Sequence, residues 1–183
     1  MFSFQVSDGH ELRLLRPSDT DEFFRLIDAN RAYLRTWLPW LDGTVSSTNT
    51  QDFIRSTLQQ FSDNRGFVAA ICHEKTIVGV IGYNQIDWQN RIGYIGYWLA
   101  QDYQGKGLMT TSCKAVVDYG FGVLNLNRLV ITCAAENKRS RSISERLGFV
   151  HEGTTRDAEW LYDHFVDHEV YVQFHRNWNR QNT

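Results

Sequence analysis

The stretch Arg128–Ala135 (RLVITCAA) has one threonine as its only polar residue after the leading arginine. A strand this apolar is buried on both faces, which requires a sheet covered by helices on two sides. Ahead of it, Leu108 to about Val123 reads as a helix, largely apolar at Met109, Cys113, Val116, Val117 and Tyr119–Phe121. Before that helix, Arg91–Leu99 reads as a strand. The chain must therefore contain a strand–helix–strand crossover in its second half.

The remaining segments read as an antiparallel sheet with helices inserted. Phe2–Val6 and Glu11–Arg16 alternate around a turn at Asp8–Gly9. Pro17 ends the second of these, and Ser18 with Asp21 and Glu22 resembles a cap for a helix carrying Phe23, Phe24, Leu26 and Ile27. A short helix is expected over Arg31–Leu38, before Pro39. After the polar stretch Asp42–Thr50, Thr48 or Thr50 caps a helix bearing Phe53, Ile54, Leu58 and Phe61. Gly66–His73 and Thr76–Ile86 then form a meander with Arg91–Leu99. Lys138–Leu147 reads as a helix closed by Gly148, and the strands Phe149–Arg156 and His164–Phe174 finish the sheet. The expected order is β β α α β β β α β α β β.

Composition narrows the function. Nineteen Lys and Arg against 21 Asp and Glu give a net charge of −2, which argues against a dedicated nucleic-acid binder. No apolar run approaches a membrane span, and the N-terminal segment alternates, unlike a signal peptide. Three scattered cysteines, Cys72, Cys113 and Cys133, read as reduced thiols in a cytoplasmic protein. A chain of 183 residues with no repeat or linker is expected to be one domain, 1–183. Aromatic residues, at 14%, exceed what the core needs. Phe23, Phe24, Phe53, Phe61, Phe67 and Phe121 suit packing, whereas Trp37, Trp40, Trp98, Tyr103, Trp160 and Tyr162 fall at strand ends and loops, where they line a substrate side or bury a homodimer contact.

The segment with the clearest chemistry runs from Tyr97 to Thr110 (YWLAQDYQGKGLMT). It sets Gly105-Lys106-Gly107 between a strand end and a helix start. Glycines allow close backbone approach, and the first helical turn offers unpaired N–H groups at a positive dipole end, as a pyrophosphate requires. A Walker-type loop fails because Ala100 and Gly107 stand where Gly and Ser/Thr are needed, and Thr110 breaks a dinucleotide fingerprint. A plain glycine turn capping a helix is the bland alternative. His164 and His168 have zinc-like spacing but sit in an alternating strand with no third ligand nearby, so no metal is expected.

Gln104-Gly105-Lys106-Gly107, then Asn137-Lys138-Arg139-Ser140, then Glu145-Arg146-Leu147-Gly148-Phe149 resembles the GNAT acetyl-CoA-dependent N-acetyltransferases. Leu34-Arg35-Thr36-Trp37-Leu38-Pro39-Trp40 and the late Ala158-Glu159-Trp160-Leu161 and Asp167-His168-Glu169-Val170-Tyr171 segments place the resemblance in the RimJ/RimL branch, which acetylates protein N-termini including those of ribosomal proteins. It covers essentially the whole chain. Two positions depart from the family pattern: Asp102 replaces an Arg or Gln, and Ser144 replaces a tyrosine often used as proton donor.

The resemblance implies an α/β (in stricter schemes α+β) fold. Its sheet would be mixed and mostly antiparallel, with about seven strands, helices on both faces and a splayed coenzyme cleft. Coenzyme A would lie along Trp98, Leu99 and Ala100, with its pyrophosphate on Gln104, Gly105, Lys106, Gly107, Leu108, Met109 and Thr110, and its pantetheine arm near Asn137 and Ser140. Asn137 also reads as a helix cap. The Leu99 N–H would hold the oxyanion of an attacked thioester. Glu159 is the implied base, against a plain reading as an exposed turn glutamate. Ser140 is the implied acid, with solvent as the alternative, and Tyr97 and Tyr103 read mainly as packing residues. Lys138, Arg139, Arg141 and Arg146 form a solvated helix face near the coenzyme 3′-phosphate. At pH 7 an α-amino group is roughly a sixth neutral and a lysine amine about 0.04%, a gap worth roughly 3.5 kcal/mol, so a protein N-terminus asks least of the base. Small amines such as polyamines, aminoglycosides or amino acids, and a regulatory acyl-CoA-binding role, are the alternatives.

Overall fold

The computed structural model describes residues 3–181; Phe2, at the start of the expected first strand, lies outside them. Eight strands form one sheet: β1 (Ser3–Ser7), β2 (His10–Leu14), β3 (Phe67–His73), β4 (Thr76–Asp87), β5 (Ile92–Leu99), β6 (Arg128–Ala134), β7 (Val150–Leu161) and β8 (His164–Phe174). Their spatial order is β1-β2-β3-β4-β5-β6-β8-β7. Every neighbouring pair is antiparallel except β5 and β6, joined by the expected crossover helix.

Among the described residues six α-helices accompany the sheet: α1 (Thr20–Ala29), α2 (Arg31–Arg35), α3 (Ser47–Ser62), α4 (Leu108–Gly122), α5 (Lys138–Arg146) and α6 (His175–Gln181). The alternation of strand side chains splits the core in two. On one face Leu12, Ala69, Ile71, Ile81, Ile131 and Tyr171 pack with Val116, Val117 and Phe121 of α4 and Ile143 of α5. On the other, Ala70, Cys72, Ile77 and Val80 meet Phe23 and Ile27 of α1, Leu34 of α2 and Ile54 of α3. This second cluster draws on no residue of β6, β7 or β8, so that end of the face is left for another purpose.

The crossover helix sits close to the sheet because Gly120 admits a tyrosine. The Tyr83 hydroxyl donates to the Val116 carbonyl at 2.9 Å, and a Cβ on Gly120 would come within 1.9 Å of that oxygen. Burial raises the Tyr83 phenol well above its ordinary pKa, so it stays a donor.

The eight strands are those of the segment-by-segment reading, one more than the about seven that the resemblance implied. Several boundaries also move. Pro17 starts a 3₁₀ turn over Pro17–Asp19, so the N-cap position of α1 falls to Asp19 and not Ser18. Asp19 is itself buried, its carboxylate receiving Arg13 at 2.6 and 3.0 Å and the Arg16 N–H at 2.7 Å. Ser46, with Asn49 three residues later, caps α3 in place of Thr48 or Thr50, and Thr50 is buried. α2 stops at Arg35. β7 continues to Leu161, since Glu159–Leu161 resume pairing with His164–Val166 after an irregularity at Arg156–Ala158. The polar helix α6 has no apolar stripe to announce it.

Candidate functional site

β5 and β6 pair only over Ile92–Ile95 and Arg128–Ile131. Beyond that point Gly96–Leu99 stays on β4, and Thr132–Ala134 stays on β8, so the two parallel strands part. The Ala100 N–H donates to the Val78 carbonyl at 2.8 Å, on the β4 side. Successive strand amides point to opposite edges, so the Leu99 N–H and C=O face the opening. The Leu99 carbonyl is met there by the Gln104 side-chain amide at 3.2 Å.

The chain then turns through Gln101–Tyr103 into α4. Gly105 and Gly107 have φ of +75° and +80°, and a Cβ on either would meet nothing within 4 Å. They are glycines for backbone conformation, not for space. Gly107 is the N-cap of α4 and leaves the N–H groups of Leu108, Met109 and Thr110 at an open helix N-terminus. The side chains of Leu108 and Met109 are buried, so these residues offer only backbone to the opening. The Gln101 N–H donates to Asn30 Oδ1 at 2.9 Å, which fixes this turn against the α1–α2 junction.

A groove of about 930 Å³ follows these elements. Of the residues assigned to coenzyme, Trp98, Leu99, Gln104, Gly105, Gly107, Leu108, Met109, Thr110, Asn137 and Ser140 line it. Ala100 and Lys106 do not: Ala100 is turned onto β4, and the Lys106 ammonium lies 5.0 Å over the Tyr103 ring. Asn137 is a helix cap, its Oδ1 accepting the Ser140 N–H at 3.1 Å. Arg139 and Arg146 line the groove, and Arg139 also reaches Gln104 at 2.5 Å. Arg141 turns away to Tyr171 and the Ala135 carbonyl, so the basic group on α5 divides. Tyr97 is more than packing. Its hydroxyl donates to the Ser140 carbonyl and accepts from the Ser140 hydroxyl, both at 3.2 Å. Burial raises its pKa far above the phenol range, so the group stays protonated.

A second cavity of about 650 Å³ lies across the opening, on the part of the sheet that the α1–α3 cluster leaves bare. Arg35 and Trp37 wall one side, Ala134–Glu136 the floor, and Leu161–Asp167 the other side. Trp37 lines both spaces. The wall is pinned: Arg35 pairs with Asp42 at 2.8 and 2.9 Å and lies 3.8 Å over the Tyr162 ring, while the Tyr162 hydroxyl donates to the Leu38 carbonyl at 2.5 Å. The Arg35 hydrogen bonds hold the Asp42 carboxyl below its ordinary pKa. Of the aromatics expected on this side, Trp37 and Tyr162 line the cavity. Trp98 and Tyr103 belong to the coenzyme groove, Trp40 packs at a tilt against Trp98, and Trp160 packs on Phe165 and lines neither space. Phe53 and Phe61, expected in the core, are half-exposed.

Glu159 lines neither space, standing on β7 beside the second cavity, two residues from Leu161 and opposite Val166. Its side chain is 31% exposed and lies 3.6 Å from His168.

Residues 11–150 match the acetyltransferase (GNAT) domain. The chain belongs to the GNAT family and is an N-acetyltransferase. YdaF of Bacillus subtilis (strain 168), whose name places it provisionally among ribosomal N-acetyltransferases, is 34% identical over 181 residues, covering 97% of this chain and 98% of that one. The ribosomal-protein-serine acetyltransferase of Escherichia coli (strain K12) is 28% identical over 171 residues, 93% and 96% of the two chains. Among solved structures, RimL, a ribosomal L7/L12 α-N-protein acetyltransferase in complex with coenzyme A, superposes with a TM-score of 0.92 at 27% identity, over 94% and 98% of the two chains. These likenesses establish the RimJ/RimL branch of the GNAT acetyltransferases. Among the described residues, no helix is long and apolar enough to cross a membrane, and no group of three or more His, Cys, Asp or Glu could hold a metal.

Proposed function

We propose that this acetyltransferase works as one domain in the cytoplasm, binds acetyl-CoA in the 930 Å³ groove and passes the acetyl group to the N-terminal amine of a ribosomal protein. The observation that carries the reading is the parting of β5 and β6 with the Leu99 N–H turned into the gap, between an anion-ready helix start and a separate, pinned cavity. The pantetheine arm would add to the free edge of β5 as a peptide adds to a sheet. Its pyrophosphate would take the amides of Gly107–Thr110, with Arg139 and Arg146 as cations beside it. Coenzyme A in the RimL structure, whose fold this chain shares, supports coenzyme binding here.

The amine enters from the second cavity and attacks the thioester directly in a ternary complex. The Leu99 N–H polarises the carbonyl and holds the tetrahedral oxyanion, a contribution of about 10²–10³ in rate for one such donor. Ser140, kept in place by Asn137 and Tyr97, stands on the coenzyme side to protonate the departing thiolate. Glu159, on the acceptor side, receives the amine's proton through water.

A second reading, a polyamine acceptor, is favoured by Glu136, Asp163 and Asp167 around the cavity and by the spermidine N(1)-acetyltransferase of E. coli (strain K12), 28% identical over 164 residues covering 88% of this chain. Thiol release from acetyl-CoA, measured with Ser- or Ala-starting peptides and with spermidine, separates the two. Faster release with the peptides is expected. Release with spermidine alone overturns the N-terminal assignment, and release with neither favours a regulatory acyl-CoA-binding role.

A further inference from the structure

His168 is one of two histidines whose four-residue spacing belongs to no metal cluster among the described residues. It has a different neighbour. Its Nε2 lies 3.6 Å from Glu159 Oε2, with the side chains 19% and 31% exposed. The sheet sets this pairing: Glu159 stands opposite Val166 and Thr155 opposite His168, so the irregularity at Arg156–Ala158 brings the carboxylate back onto the imidazole's face. Leu161 and Val166 line the acceptor cavity from that same face, and His168 stands opposite Ala134, which lines it from β6. At 3.6 Å the pair is just outside hydrogen-bond range, a separation that commonly tightens when substrate arrives.

We infer that His168, held by Glu159, is the group that takes the proton from the acceptor amine. This rests on the acceptor side as read above and changes one role in it: Glu159 becomes the partner that orients the imidazole. With Nε2–H directed at Glu159, the lone pair is on Nδ1. Nδ1 removes one proton from the ammonium, and the amine nitrogen then attacks the thioester carbonyl carbon. The C–N bond forms and the C–S bond breaks. The second amine proton ends on the coenzyme sulfur by way of Ser140 or water, and the imidazolium returns its proton to solvent.

Matching of proton affinities favours this division of labour. An ordinary imidazole falls about 20-fold short of an α-amine in proton affinity, and an ordinary carboxylate about 3,000-fold short. The other titratable groups around this face are His164 on the same strand, Asp163, Asp167 and Glu136 at the cavity, and Arg35. Arg35 is matched by Asp42, and Asp167 accepts the Asp157 N–H at 2.8 Å. β6 contributes only Thr132 and Ala134 there.

The test is the pH profile of kcat/KM for His168→Gln and Glu159→Gln, read with a peptide amine or spermidine, whichever turns over, so that a wrong acceptor class leaves it intact. His168→Gln is expected to lower kcat by about 100-fold or more and to abolish the acidic limb, with the KM for acetyl-CoA unchanged. Glu159→Gln is expected to cost about 10-fold, because the imidazole loses the partner that orients it, and to retain the acidic limb. Added imidazole should restore turnover to His168→Ala, which a merely structural histidine would not allow. Retention of the acidic limb in His168→Gln, with its loss in Glu159→Gln, overturns the inference and returns the base to Glu159. Turnover with neither amine class overturns both readings.

Discussion

The two sides of the cleft are built from different materials. The coenzyme side is centred on the turn and helix start of one stretch, Tyr97–Thr111, which offer it backbone, and is walled by Tyr33, Leu34, Trp37 and Leu38 and by α5 from its Asn137 cap to Arg146. The acceptor side is side chains from three stretches, at 35–37, 134–136 and 161–167, that meet only in the folded sheet. A backbone site depends on turn geometry, so changing most of its side chains leaves it standing. The acceptor site depends on which side chains stand on a fixed frame, so it can change substrate without changing fold.

The sharpest way to break this contrast is Gly107→Val. Valine at φ +80° strains the turn that presents the α4 amides, although nothing crowds the position. Calorimetry should show acetyl-CoA affinity falling by about 100-fold or more, since a strain of about 3 kcal/mol corresponds to a factor near that size. Unchanged affinity would mean that the helix start does not hold the coenzyme.

Tyr162→Ala should act mainly on the other side. It removes the ring under Arg35 and the bond to the Leu38 carbonyl, and so frees the cavity wall. A cation–π contact and a hydrogen bond of about 1 kcal/mol each predict a rise in acceptor KM of roughly 30-fold, with coenzyme affinity little changed. Equal loss on both sides would erase the division.

The smallest effect is expected at His10, beneath the coenzyme side. Its ring bonds Ser112 at 2.9 Å and Thr111 at 3.3 Å, both on α4. Burial first, and the nearby His73 second, lower its pKa below that of a free imidazole. The unfolded chain therefore binds more protons there, and folding stability falls as pH drops below about 6.5, towards the folded value. The Tm of His10→Gln should be flatter than that of the wild type between pH 7.5 and 5.5. Parallel curves would remove His10 from the account of α4.

The same contrast explains what could be read in the sequence. The glycine turn, the Asn137 cap and the apolar β6 are local signals, and each stands where the residues placed it. Gly105 and Gly107 were legible because only glycine takes that backbone readily. The role of Tyr97 was hidden: its hydroxyl finds Ser140 only because β5 and α5 meet across 43 positions of sequence. The Glu159–His168 contact depends on an irregular register in β7 that no periodicity encodes. Trp160 shows the reverse error, an aromatic at a loop-like position that packs on Phe165 and lines nothing.

The most direct measurement compares kcat/KM for two peptides of one sequence, each with a single amine. One carries a free N-terminal serine and no lysine; the other has a blocked N-terminus and one lysine. From the neutral fractions of the two amines, a preference of about 400-fold for the free N-terminus is predicted at pH 7. Equal rates, or a preference for the lysine peptide, would contradict the assignment of this cleft to protein N-termini.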